Sequence, residues 1–459
     1  MNVTRVIHSA RLVSGGTLTL DAWVAFASDT VSAVGTGDCW RGLVGSTSKS
    51  ASAADFATVS VSTRGGGTPA AASAAEIVDA RGRWLTPGFI DIHCHGAGGA
   101  AFDDGLSGIR TALAVHRAHG TTRSVLSLVT AQLFDLESRL GIIAAAAEAD
   151  PLVLGAHLEG PFLDAAFRGA HDPALLRAAD AAATDRLLLA SHGYLRQITL
   201  APELPGAGAA ITRFVDAGVA VAIGHSAADY SQACAAFNAG ASVLTHAFNA
   251  MHGIHHRAPG PVVAAMRSGG VTLEIINDGV HVHPEVVRLA FAGAPGRIAL
   301  VTDAMAATGF GDGEYRLGSL AVVVVDGVAR LAVDARSVDR TVDRTVDRMV
   351  DRTIGVVDRV GGAVIGSARD EAAAVCGAIA GSTLTLDAAL RRAVFEVGIP
   401  IAEAVTALTE TPARAIGRAH DLGLLAPGFA ADAVLLSDDF AVEEVFAAGQ
   451  RLSFDIPPR

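Results

Sequence analysis

From Leu85 to about Ala304 the chain alternates short apolar runs with Ala-, Leu- and Arg-rich stretches of helical length. The apolar runs fall at 88–92, 124–129, 153–157, 197–201, 219–223, 242–244, 271–276 and 297–301. Strands separated by helices are the pattern of a parallel sheet, because each crossover helix covers one of its faces. Eight such units predict an α/β chain closed as a (β/α)8 barrel. An open doubly wound sheet would need Gly-x-Gly-x-x-Gly after a strand, and no such motif is present.

The flanks follow a shorter period. Runs at 6–8, 17–20 and 23–26, a strand and turn at 77–82, and two more runs at 432–436 and 442–446 alternate between turn signals. They predict a small β-sandwich domain assembled from both chain ends, residues 1–85 and 424–459, around a barrel at 86–423. Two stretches break the pattern. Residues 35–75 lose hydrophobic period and fill with Gly, Ser, Thr and Ala, which reads as a flexible insertion. Residues 333–376 separate the barrel from its last helices and carry a tandem Val-Asp-Arg tetrapeptide repeat at 337–352. A four-residue period nearly matches a helical turn, so Asp and Arg would pair along an exposed stripe at a few tenths of a kcal/mol each. A solvated insertion is the expected reading, and a contact surface the alternative.

Composition narrows the partners. The chain has 459 residues, 51% apolar and 5% aromatic, with a formal charge of −12. That balance excludes nucleic acid as a bulk partner. No apolar run approaches the ~20 residues needed to span a bilayer, and 1–16 intersperses Arg5, His8 and Arg11, unlike a secretory signal, so the expectation is a cytoplasmic protein with no membrane partner. Cys39, Cys94, Cys234 and Cys376 form no Cys-x-x-Cys pair. Every basic residue except Lys49 is arginine, and Lys49 lies in the Ser/Thr-rich tract. A carboxylated lysine bridging two cations is therefore excluded from the strands, and a carboxylate must take that role.

The chemistry gathers at the strand ends. His93 and His95 flank Cys94 after the first run and point to one face. Glu159 follows the third run, His225 the fifth, His246 the sixth and Asp303 the eighth. In a (β/α)8 barrel all these ends open on one mouth, so the six side chains should converge. Four imidazoles and two carboxylates without a thiolate suit one or two divalent ions such as Zn²⁺ or Fe²⁺, with Glu159 bridging. Such an ion lowers the pKa of bound water toward neutrality, and Asp303 would accept that water's proton and return it to a leaving amine.

The stretch Pro87-Gly88-Phe89-Ile90-Asp91-Ile92-His93-Cys94-His95-Gly96 resembles the opening signature of the amidohydrolase superfamily. Together with His157-Leu158-Glu159-Gly160-Pro161-Phe162, Gly169-Ala170-His171, Gly224-His225-Ser226, Thr245-His246-Ala247-Phe248-Asn249-Ala250-Met251, Asp278-Gly279-Val280-His281 and Thr302-Asp303-Ala304-Met305, it looks like the N-acetylglucosamine-6-phosphate deacetylases. The resemblance spans nearly the whole chain outside the two insertions. It implies hydrolysis of the N-acetyl group of an amino-sugar 6-phosphate to glucosamine 6-phosphate and acetate. It also implies that Glu159, His225 and His246 hold the main ion, and that His93 and His95 decide whether there is a second. Asp303 would be the general base and acid, and His171 would polarise the amide carbonyl. The phosphate would meet the backbone at Asn249 and Ala250, the Arg257 guanidinium and His281. An Arg loop lent by a partner subunit implies a homodimer. His252, His255 and His256 beside Arg257 are expected on the rim. Alternatives remain: another N-acyl substrate, such as an N-acetylgalactosamine 6-phosphate or an N-acyl amino acid, or an inactive metal-binding or interaction protein.

Overall fold

The computed structural model describes residues 3–44, 75–332 and 377–454. Most of the 35–75 stretch, Lys49, Cys376, the Asp-Arg repeat and the whole 333–376 insertion lie outside the described residues.

Eight parallel strands form the barrel: Phe89–Cys94, Thr121–Val129, Val153–Glu159, Leu195–Leu200, Ala220–Ile223, Val243–Leu244, Thr272–Ile276 and Ile298–Val301. Each coincides with one of the eight apolar runs. They are buried almost throughout, because helices cover their outer faces and side chains fill the interior. The ring closes where the Asp303 N–H donates to the His93 carbonyl and the His95 N–H to the Ala304 carbonyl, both at 2.8 Å. Thr302 Oγ1 reinforces the seam, donating to the buried Asp91 Oδ2 at 2.6 Å.

Strands from both chain ends make a second sheet, as expected. Arg5–Ser14 pairs antiparallel with Thr17–Ala27, which pairs with Thr30–Thr36; on its other side Arg5–Ser14 runs parallel to Glu76–Asp79 and Trp84–Pro87. Trp84–Pro87 then pairs antiparallel with Ala433–Leu436, which continues to Val442–Ala447 and Gln450–Arg451. The Pro-Gly pair after Thr86 is the hinge between the two sheets. A Cβ at Gly88 would lie 2.2 Å from Thr122 Oγ1, so only glycine lets the chain pass from one sheet into the other.

Two features depart from the sequence pattern. The insertion does not begin at residue 35: Gly35 and Thr36 belong to a strand, and Gly37–Gly42 forms a 3-10 turn that buries Trp40 against the His8 ring at 4.4 Å. Trp40 is the one aromatic of the 37–42 turn, and burying it holds the turn on the sheet. After the barrel, Gly313–Leu317, Leu320–Val325 and Val328–Leu331 form an unanticipated antiparallel sheet. Its apolar face packs on Val129, Ala170 and Met305, under the loop that carries His171.

Candidate active site

The residues expected to converge do so around Glu159, the last residue of the third barrel strand. Five imidazole Nε2 atoms stand on its two oxygens. His225, His246 and His93 approach Oε1 at 3.1, 3.2 and 3.4 Å, and His95 and His171 approach Oε2 at 3.2 and 3.3 Å. Asp303 Oδ1 lies 3.3 Å from His95 Nε2 and 3.6 Å from His93 Nε2. All seven side chains are buried.

The backbone delivers three of them by the same device. His225, His246 and Asp303 each lie two residues past a strand end, and each has left-handed backbone, with φ of 48°, 25° and 48°. Such conformations cost about 1–3 kcal/mol for a side chain with a Cβ and persist only where the surroundings enforce them. The turn folds each side chain back over the mouth. Gly169, also left-handed at φ 53°, lets the His171 loop pass the His225 ring, whose Cε1 would be 3.1 Å from an added Cβ. His225 is oriented from behind by the Phe167 carbonyl, 2.9 Å from its Nδ1.

Electrostatics follow from this crowding. Burial alone would raise the Glu159 pKa, but the charge on His93 and the hydrogen bonds of His171, His225 and His246 hold its carboxyl well below the usual range. Asp303 is lowered in the same way, the His93 charge and the His95 hydrogen bond overcoming burial. Against burial, Asp303 and Glu159 raise His95 to about 9, and Glu159, Glu274 and Asp303 raise His93. His157, one strand layer below, goes the other way: burial and the His93 charge lower it. It is a satisfied core imidazole between Ser127 Oγ and Thr199 Oγ1, each at 2.8 Å.

A cation fits this donor set. His225 and His246 turn Nε2 atoms toward each other at 2.9 Å, and His93 and His95 do so at 3.3 Å. Imidazole nitrogens that converge on one another and on a carboxylate offer several donor atoms to one point, which is the arrangement a divalent ion occupies. Two pockets share Glu159: His93, His95 and Asp303 on one side, and His225 with His246 or His171 on the other.

Of the remaining expected residues, His281, Asn249 and Ala250 lie beside this centre and Arg257 does not. His281 is half-buried, with Nδ1 2.7 Å from Asp278 Oδ2; against desolvation, Asp278 raises its pKa. Asn249 caps the His246 turn through its side-chain amide, 3.1 Å from the His246 carbonyl, and Ala250 is left-handed at φ 50°. Arg257 sits apart on an exposed loop with His252, His255 and His256, and its guanidinium makes no ion pair with the described residues. Sequence reasoning passed over Glu274, Gln197, Asp91 and Thr302, which support the site from inside the barrel. For Glu274 a signal existed: it is the only charged residue in the run 271–276.

A model of the amidohydrolase family matches residues 84–452. An N-acetylgalactosamine-6-phosphate deacetylase of Escherichia coli O157:H7 is 36% identical over 374 residues, covering 81% of this chain and 88% of that one. An N-acetylglucosamine-6-phosphate deacetylase of Vibrio furnissii is 34% identical over 377 residues, covering 81% and 83%. Among solved structures, a mutant of N-acetyl-D-glucosamine-6-phosphate deacetylase from Mycobacterium smegmatis, in complex with N-acetyl-D-glucosamine-6-phosphate, superposes with a TM-score of 0.77 at 37% identity, over 97% of this chain and 98% of that one.

Proposed function

Because the chain belongs to the amidohydrolase family, we propose that it hydrolyses the N-acetyl group of N-acetylglucosamine 6-phosphate to glucosamine 6-phosphate and acetate. The observation that carries this reading is the set of five imidazoles and Asp303 gathered on Glu159 at the barrel mouth. The solved relative crystallised with that sugar phosphate supports the substrate class.

Glu159, His225 and His246 would hold the first divalent ion, and His93, His95 and Asp303 a second, with Glu159 between them. Such an ion supplies Lewis acidity, making water a nucleophile near neutral pH and polarising a carbonyl. Asp303, lowered and therefore ionised at neutral pH, accepts the attacking water's proton at Oδ1 and returns it to the leaving nitrogen. His171, on a loop rather than a strand end, donates Nε2–H to the carbonyl oxygen as charge develops there. His281, the backbone of Asn249 and Ala250, and the Arg257 fork receive the phosphate. Arg257 is exposed and unpaired among the described residues, which suits a loop reaching into the mouth of a second copy in a homodimer.

Acetate release should require added Zn²⁺ or Fe²⁺ after chelation and should be seen with the 6-phosphate but not with unphosphorylated N-acetylglucosamine. No release from the metal-loaded protein would refute the reading. The Escherichia coli relative favours a second substrate, N-acetylgalactosamine 6-phosphate. The two sugars differ only at C4, and kcat/KM measured on both decides between them. No helix among the described residues is long and apolar enough to cross a membrane.

A further inference from the structure

The mouth holds one carboxylate that the proposed chemistry leaves without a role. Glu274, on the seventh barrel strand, is fully buried. Its Oε2 lies 2.9 Å from His93 Nδ1 and accepts the His246 backbone N–H at 3.3 Å, while Oε1 accepts Gln197 Nε2–H at 2.7 Å. It thus links four barrel units that are far apart in sequence. An acceptor beside Nδ1 makes that nitrogen the protonated one and leaves His93 Nε2 to face Glu159 and Asp303 with its lone pair.

No other imidazole of the cluster is held this way. The Nδ1 atoms of His95, His171 and His246 are buried without a hydrogen-bond partner among the described residues. His225 Nδ1 meets only a backbone carbonyl. His93 alone has a carboxylate behind it, and His93 belongs to the pocket with His95 and Asp303.

We propose that Glu274 is a positioning residue that sets the cation affinity of the His93–His95–Asp303 pocket separately from that of the Glu159–His225–His246 pocket. It acts through the orientation and tautomer of His93. The inference rests on reading the cluster as a two-ion centre.

Glu274→Leu removes the acceptor. Glu274→Asp keeps the charge but withdraws the oxygen from the ring. Glu274→Gln retains an oxygen for His93 and His246, and the unpartnered Gln197 Oε1 can turn to accept the new amide. Full-length protein stripped of metal is titrated with Co²⁺ by calorimetry and visible absorption, beside melting curves of the ion-free forms. The wild type is expected to bind two ions. In Glu274→Leu and Glu274→Asp one site should weaken by about 10–100-fold while the other holds, and Glu274→Gln should restore it to within a few-fold. If Glu274→Leu fails to fold, the Asp and Gln variants carry the comparison. Two sites at wild-type affinity in Glu274→Asp would overturn the inference, as would equal weakening of both. A wild type that binds one ion would overturn this inference alone, and one that binds none would overturn the metal reading as well.

Discussion

The barrel mouth and the junction with the terminal sheet both bury charge, and they treat it in opposite ways. At the junction, Arg123 Nε and Nη2 donate to Asp432 at 2.6 and 3.1 Å, Nη1 donates to the Pro151 carbonyl at 2.6 Å, and the Ala448 N–H completes Asp432 Oδ1 at 2.7 Å. Every strong donor there has an acceptor within the chain. At the mouth, imidazole nitrogens face each other, buried Nδ1 atoms go unpartnered, and three residues hold left-handed backbone. The junction is complete as folded, whereas the mouth is completed by what it binds. Strain and unsatisfied groups of this kind lower stability where they serve chemistry.

The largest effect that would test this contrast is at the mouth. Asp303→Asn should lower kcat/KM by about 10³-fold or more, a far larger effect on rate than on the melting temperature, because Asn keeps the shape of the side chain and one acceptor oxygen for His95. A normal rate would break the assignment. At the junction the reverse is expected. Asp432→Asn leaves Arg123 buried without its counter-charge and should cost about 3–5 kcal/mol in denaturant unfolding, with kcat/KM unchanged where the protein remains folded.

A smaller, pH-dependent effect lies in the mouth's wall. His116 is fully buried, with Nε2 3.2 Å from the Gly96 carbonyl, and burial lowers its pKa to about 4. Being depressed in the folded state, it favours folding above its ordinary value of 6.5. That stability is lost as the pH falls from there toward 4, because the unfolded chain takes the proton first. The loss is about 3 kcal/mol. Denaturant midpoints at pH 7 and 4.5 should therefore differ less in His116→Phe than in the wild type. The smallest effect belongs to the rim: Arg257→Ala should raise KM for the sugar phosphate by about 30-fold, equivalent to one charge-assisted hydrogen bond of ~2 kcal/mol. The unphosphorylated sugar should be unaffected, and an equal loss on both would place Arg257 outside the phosphate site.

Much of this molecule was legible along the chain. Eight apolar runs located all eight barrel strands, because strands covered on both faces must be continuously hydrophobic. The strand-end motifs marked His93, His95, Glu159, His225, His246 and Asp303 for one mouth, because a parallel barrel gives its strand ends a common side. What escaped was whatever depends on cross-strand register. Glu274 looks like an isolated charge in an apolar run until the seventh strand is set beside the sixth and closure brings it to His93. The 313–331 sheet was missed, although Leu320–Val325 is a Val-rich run of strand length, because it follows the last barrel run, where the barrel pattern predicts helix.

The sequence by itself determined the period of the elements, the barrel class, the assembly of a second sheet from both chain ends and the chemical character of the mouth. These are properties of local spacing and residue type. Only the tertiary structure decided which nitrogen faces which oxygen, that His171 joins the ring around Glu159, that His157 does not, and that a buried carboxylate stands behind His93. Those contacts join residues far apart in the chain, His93 and Glu274 by 181 positions and His93 and Asp303 by more. They depend on strand register and ring closure, in which a shift of one residue would turn a side chain from the mouth to the outer wall.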